Sequence, residues 1–264
     1  MSSTAPATPR ARTAPPGWRA ALLLAILIGL WELYVDIGGA DPLILPAPHA
    51  VAKALYEDRT LLWSNFVVTA QEVLLGIAVA ALAALVFAFG IHFSQTLRRA
   101  VYPLLVASQA VPVPMIAPVL VLWLGFGIKA KLVVIALVSF FPIVVTTLAG
   151  LEAVDPELIK LMRTFDASRL RIFRHVELPS ALPGVLTGAK IAVVVAVIGA
   201  YLAELAGASS GLGYLFQQSV AQILTARAYA AVMIMSGFAI SLFCLLTLVE
   251  RRAVPWAYES RGER

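Results

Sequence analysis

Four ionisable side chains, Glu32, Glu72, Lys190 and Glu204, stand in or beside runs that are otherwise almost wholly apolar. A charge in hydrocarbon costs about 2.5–3.5 kcal/mol or more, so a residue kept there marks a substrate path or ion relay unless a helix end is near enough for it to reach the interface. Both readings are open for all four. Glu72 with its neighbour Gln71 is the pair best suited to a pathway. Ser108 and Gln109 precede Pro112, Pro114 and Pro118 in SQAVPVPMIAP. Each proline removes a backbone donor and frees a carbonyl of the preceding turn, which a bilayer tolerates only where protein or a watery cavity satisfies it. Such a break is either the wall of a translocation path or a kink that aids packing. Gln71, Glu72, Ser108, Gln109 and Glu204 are therefore the candidate pathway residues.

Covalent chemistry finds less support. GASSG, Gly207 to Gly211, matches G-x-S-x-G, but that motif works on a strained strand-to-helix turn with a histidine and an acid at hand. Here it follows an apolar run, and His49, His92 and His175 fall in other connecting segments, so it reads as a glycine-rich turn. No catalytic residue is assigned. No spacing suggests a metal cluster and no G-x-x-x-x-G-K-[ST] loop is present, so neither metal nor cofactor is expected. Uphill transport would need an ion gradient or another chain.

The elements that position these residues are membrane helices. The 264 residues are 61% hydrophobic and only 13% charged, against about 25% charged in soluble domains, and the mean hydropathy is +0.89. A spanning helix needs roughly 20 mostly apolar residues. Six segments are predicted, near 19–38, 67–91, 100–124, 131–151, 183–205 and 228–249. Lys and Arg concentrate on the cytoplasmic side of membrane proteins. With the N-terminus inside, fourteen fall in the cytoplasm and five outside, namely Lys53, Arg59, Lys129, Lys131 and Arg227. Both termini are thus predicted to be cytoplasmic. The pI of about 9.6 reflects this topology and anionic lipid headgroups, with no call for nucleic acid. Residues 1–16 are too poor in apolar side chains to order themselves, and 256–264 form a short second tail. The first apolar run continues into WELYVDIGGADP, with bulky residues where a signal cleavage site wants small ones, so an uncleaved helix is expected. Cys244 is the only cysteine, which excludes a disulfide framework.

One polar island remains, RTFDASRLRIFRHVELPSALPG, Arg163 to Gly184. Phe165, Leu170, Ile172 and Phe173 recur at roughly helical spacing among arginines, and Asp166 and Ser168 can cap a start. The pattern predicts a short amphipathic helix, stopped by Pro179 and Pro183, either of which can sit in the first turn of the membrane helix that follows. On the cytoplasmic side it would lie on headgroups or enter a groove of a partner.

The island resembles the cytoplasmic signature loop of ABC importer permeases, E-A-A-x-x-x-G, nine residues, then I-x-L-P. With Asp166 in the glycine slot, nine residues reach Val176, and Leu178 and Pro179 fill the L-P positions. Two departures stand out. Lys160, Leu161 and Met162 replace Glu-Ala-Ala, removing a glutamate that would pair with the ATPase, and an aspartate in the glycine slot argues against a positive-φ turn. ILPAPHAV, ASQAVPVPMIAPVLVLWLGFG and AELAGASSGLGYL extend the likeness over about 20–255, toward the branch that handles nitrate, sulfonates, taurine and thiamine precursors.

The resemblance implies an all-α, type I ABC importer permease fold over 17–255, multi-pass in the cell membrane. Two permease copies, expected to be identical, would form the path. Two ABC ATPase subunits would dock from the cytoplasm, and an extracytoplasmic binding protein would deliver solute. The docking set would be Arg163, Phe165, Asp166, Arg169, Leu170, Arg171, Phe173, Arg174, Leu178 and Pro179. LMRTFDAS, SQAVP and QEVLLG point to a hydroxymethylpyrimidine-type or riboflavin-type precursor as substrate; a sulfonate, taurine or nitrate is the alternative. From other classes, a secondary transporter would show inverted repeats and a buried ion site, and a membrane enzyme would need a catalytic constellation.

Overall fold

The computed structural model describes residues 17–256, so the two expected tails, Trp256 apart, lie outside the described residues. The described residues fold as helices only: α1 (Gly17–Asp36), α2 (Pro48–Glu57), α3 (Arg59–Phe93), α4 (Gln95–Ser108), α5 (Val113–Leu124), α6 (Ile128–Glu152), α7 (Pro156–Thr164), α8 (Arg169–Ile172), α9 (Leu178–Leu205), α10 (Leu212–Ala221) and α11 (Thr225–Ala253). A π-helical turn, Phe173–Glu177, joins α8 to α9 without a break. Four helices, α1, α3, α6 and α11, and the continuous rod Arg169–Leu205 are long and apolar enough to cross a bilayer. The chain is thus an all-α, polytopic membrane protein.

The expected third span, 100–124, is two helices. α4 begins at Gln95, and α4 and α5 meet at 101°, making a sixth span only if the bent pair is counted as one. The cause is local: Pro112 is the N-cap of α5 and Pro114 lies in its first turn, so no backbone hydrogen bond from either residue can carry α4 onward. The second span is longer than its apolar run. α3 has 35 residues, about 52 Å at 1.5 Å each, well beyond a ~30 Å hydrocarbon layer.

α6 packs between α3 and α9, and small residues decide how closely. Ala80, Ala84 and Ala88 are fully buried along α3, while Leu82 and Val86 face outward. On α9, a Cβ at Gly188 would lie 2.9 Å from the Ile143 Cα of α6, and one at Gly184 would strike the Thr146 carbonyl. Backbones that close gain dispersion contacts that lipid cannot supply.

The island departs most from expectation. It is not one helix over Arg163–Arg174. α7 is capped by Asp155, whose side chain accepts from the Glu157 N–H at 2.8 Å, and it ends at Thr164. Asp166 then turns with φ 52°, and Ser168 caps the rod that follows, accepting from the Arg171 N–H at 3.4 Å. An aspartate therefore does occupy the positive-φ turn the sequence argued against, a conformation that Asp tolerates better than most side chains. Nor do Pro179 and Pro183 stop the helix. Pro179 falls in the first turn of α9, just past the wider π turn in which the Leu178 N–H reaches the Phe173 carbonyl. Such a bulge shifts the ladder by one residue and makes room for the ring.

Candidate functional site

The turn between α6 and α9 carries an apolar ridge set in basic residues. Leu158 and Leu161 on α7, then Phe165 and Leu170, are 43%, 52%, 73% and 69% exposed, which is high for residues of this size outside a lipid-facing span. Arg163 closes α7, and Lys160, Arg171 and Arg174 are exposed around the ridge. An exposed apolar cluster rimmed by charge marks an interaction surface.

The remaining members of the expected docking set are held by the chain itself. The Phe173 ring packs against Phe89, His92 and Phe93, with centroids 5.4, 5.9 and 4.8 Å away. Arg169 donates to the Phe93 carbonyl at 3.1 Å and lies over that ring. Leu178 and Pro179 are half-buried in the rod. Phe173 and Arg169 thus fasten the rod to the end of α3. Asp166 shapes the turn through its backbone. Glu177, the variable position before Leu178-Pro179, bonds His92 Nε2 at 2.9 Å.

A second constellation lies at the far end of α3. Gly211 donates its N–H to Asn65 Oδ1 at 2.8 Å, Leu212 to Thr69 Oγ1 at 2.8 Å, and Gly213 and Tyr214 to Glu204 Oε2 at 2.5 and 3.2 Å. Thr69 in turn donates to Glu204 Oε1 at 2.6 Å. The first N–H groups of a helix have no partner within it, so α3 and α9 side chains together cap α10. Glu72 is buried beside this knot and pairs with Lys131 Nζ at 2.5 Å. Glu204 and Glu72, expected on a pathway, thus bond within the chain, and Lys131, counted as an outside loop residue, is buried as the counter-ion. The Gln71–Glu72 pair is split, since neighbours on a helix face apart and Gln71 is exposed. Lys190 is likewise paired, with Glu250 at 2.6 Å.

Ser108 and Gln109 are placed differently. They line a cavity of about 270 Å³ at the α4–α5 bend, together with Pro142 and Gly199. The SSG of GASSG forms the turn between α9 and α10, where Gly211 has φ 119° and a Cβ would run into the Glu204 carboxylate.

Sequence spacing gave no hint of a third group. Glu32 accepts from the His49 backbone N–H at 3.1 Å and bonds its ring Nδ1, and Asp36 stands one turn on, with ligating atoms of the three within 4.8 Å of one another. The hydrogen bond to Glu32, and then its charge and that of Asp36, hold the His49 imidazolium above the usual histidine range, while desolvation opposes them. A histidine raised on folding contributes fully below its unfolded value of about 6.5, and that contribution is lost as pH rises through the folded value. The expected outcome is that spin labels on α1 and α2 give a narrow distance distribution at low pH that broadens as pH rises past that point. His49→Gln should show no pH response; a wild-type distribution flat with pH would refute the clasp.

Lys131, Asn65, Thr69, His92 and Glu177 are the residues sequence reasoning missed. Lys131 alone carried a signal, as an ammonium at the edge of an uncharged span. The others depend on partners far away in the chain.

Comparison with known proteins adds to this geometry. Residues 73–255 match the family model described as binding-protein-dependent transport system inner membrane component. The formylaminopyrimidine transport permease protein ThiX of Halalkalibacterium halodurans is 34% identical over 236 residues, covering 89% of this chain and 94% of that protein. The riboflavin transport system permease protein RibX of Chloroflexus aurantiacus is 31% identical over 265 residues, covering 97% and 99%. Among solved structures, a chain of an amino acid ABC transporter superposes with a TM-score of 0.60 at 18% identity, over 75% of this chain and 96% of that one.

Proposed function

The chain belongs to the family of binding-protein-dependent transport system inner membrane components, and from that premise we propose which solute it passes and how its ATPase grips it. It is a multi-pass permease of an ABC importer in the inner membrane, a transport subunit and not an enzyme, and such permeases work with an ATPase and a binding protein. We infer that the solute is a hydroxymethylpyrimidine-type or riboflavin-type precursor. Support comes from two relatives above 30% identity whose names state formylaminopyrimidine and riboflavin transport.

The observation that carries the mechanism is the ridge Leu158, Leu161, Phe165 and Leu170 at the turn between two membrane rods. In this reading α7 with Phe165 seats in a groove of one ATPase subunit, and Lys160, Arg163, Arg171 and Arg174 meet acidic groups on its rim. Two ATPases would hold two copies of the chain, identical by our reading, with both termini in the cytoplasm. Closure of the ATPase pair would push α7, and α7 is tied to α6 by a three-residue turn. α6 and α9, packed along each other, both line the cavity at Ser108 and Gln109, so the push reaches it. Those two residues are the proposed polar wall of the path. No bond chemistry is required of the chain.

Uptake settles the substrate. Proteoliposomes holding the chain, its co-purified ATPase and the binding protein are expected to accumulate labelled formylaminopyrimidine or riboflavin on addition of ATP. Accumulation of taurine or nitrate alone would overturn the precursor reading, and failure of any ATPase to co-purify would overturn the importer mechanism.

A further inference from the structure

At the opposite end of α3 from the α10 knot, a polar cavity of about 360 Å³ opens between α3, α4, α6 and α8. Its wall carries His92, Gln95, Arg98, Glu152 and Arg169, with Leu148 behind them. We propose that this cavity binds a phosphate-class oxyanion, the phosphodiester of an anionic lipid headgroup or free phosphate.

Both guanidinium groups are placed in advance. Arg98 is held by Glu152, at 2.7 Å, and Arg169 by the Phe93 carbonyl, at 3.1 Å, with the Phe93 ring centroid 5.2 Å from its central carbon. Guanidinium has five N–H donors in a planar fork, so each keeps donors in reserve after these contacts. Two such forks on one wall match a tetrahedral oxyanion, and holding them beforehand lowers the entropy lost on binding. Glu152 is the one acidic group on the wall, and His92 is held by Glu177 at 2.9 Å. Two arginines against one glutamate leave the Asp, Glu, Lys and Arg side chains of the lining at +1. α4, fourteen residues long, starts at Gln95 on the same wall, so the positive end of its dipole adds to this charge. The uncharged run of α3, Val73 to Ile91, ends at this cavity, whose wall includes Ile91 and His92, and basic pockets between membrane helices at the end of such a run can hold anionic headgroups.

The full chain, released from vesicles of equal parts phosphatidylcholine and phosphatidylglycerol, is to be weighed by native mass spectrometry. Wild type is expected to keep phosphatidylglycerol over phosphatidylcholine by about fivefold or more. Arg98→Gln with Arg169→Gln should bring the ratio to parity, and Arg99→Gln, an exposed neighbour outside the cavity, should leave it unchanged. In nanodiscs of phosphatidylcholine alone, inorganic phosphate that raises the unfolding temperature of wild type, but not of the double variant, identifies the free anion as the ligand. The proposal is overturned if neither lipid enrichment nor phosphate stabilisation is seen, or if Arg99→Gln loses as much as the double variant. It is independent of the transport reading, which survives its failure.

Discussion

A chain carrying Leu161→Asp and Phe165→Asp is expected to insert in the membrane normally and to lose its ATPase. Both side chains are more than half exposed, so neither substitution opens a buried cavity inside the chain. Each would forfeit about 1.5–3 kcal/mol of apolar burial in the ATPase groove, and together a hundredfold or more in affinity. Aspartate also sets a negative charge where acidic rim groups are expected to face the arginines. The measurement is co-purification of the ATPase in mild detergent beside ATP-driven uptake. Full association of the double variant would refute docking at α7. Phe173→Asp cannot serve in its place, because that ring is wedged among Phe89, His92 and Phe93. Its loss should lower the yield of folded chain whether or not an ATPase binds.

Glu204→Ala is expected to destabilise the end of the bundle that holds α10. It strands the Gly213 and Tyr214 N–H groups and takes from Thr69 its carboxylate acceptor, at about 1–3 kcal/mol for each orphaned donor. Glu204→Gln keeps an acceptor oxygen in the same place and should cost less. Gly211→Ala should resemble the alanine variant, since it forces a Cβ at φ 119° into the carboxylate. Thermal midpoints read by size-exclusion chromatography should fall in the order wild type, Glu204→Gln, Glu204→Ala. An alanine variant that melts with wild type would remove Glu204 from the cap. This order also separates a structural carboxylate from a pathway one, for which uptake would fall with no loss of stability.

Much of the fold was legible because a bilayer imposes one requirement at a time. Apolar runs of the right length must be helices, as every backbone group has to bond within its own segment. Five spans follow from that rule, and the prolines after Gln109 foretold that the remaining one would be broken. Where the rule loosens, at the island, spacing misled. Helical periodicity over Phe165, Leu170 and Phe173 is real, but it joins two helices across the Asp166 turn and a π bulge, and periodicity carries no sign of either.

The chain's sequence by itself determined that it is an all-α membrane protein resembling ABC importer permeases, where five of its spans lie and that one basic island interrupts them, since composition, run length and signature spacing are local quantities. Only the tertiary structure decided what the buried charges do. Glu204 meets Thr69 across 135 residues and Lys131 meets Glu72 across 59. In a medium without water a charge is satisfied by whichever partner packing delivers, and packing is a property of the whole bundle rather than of any stretch of sequence.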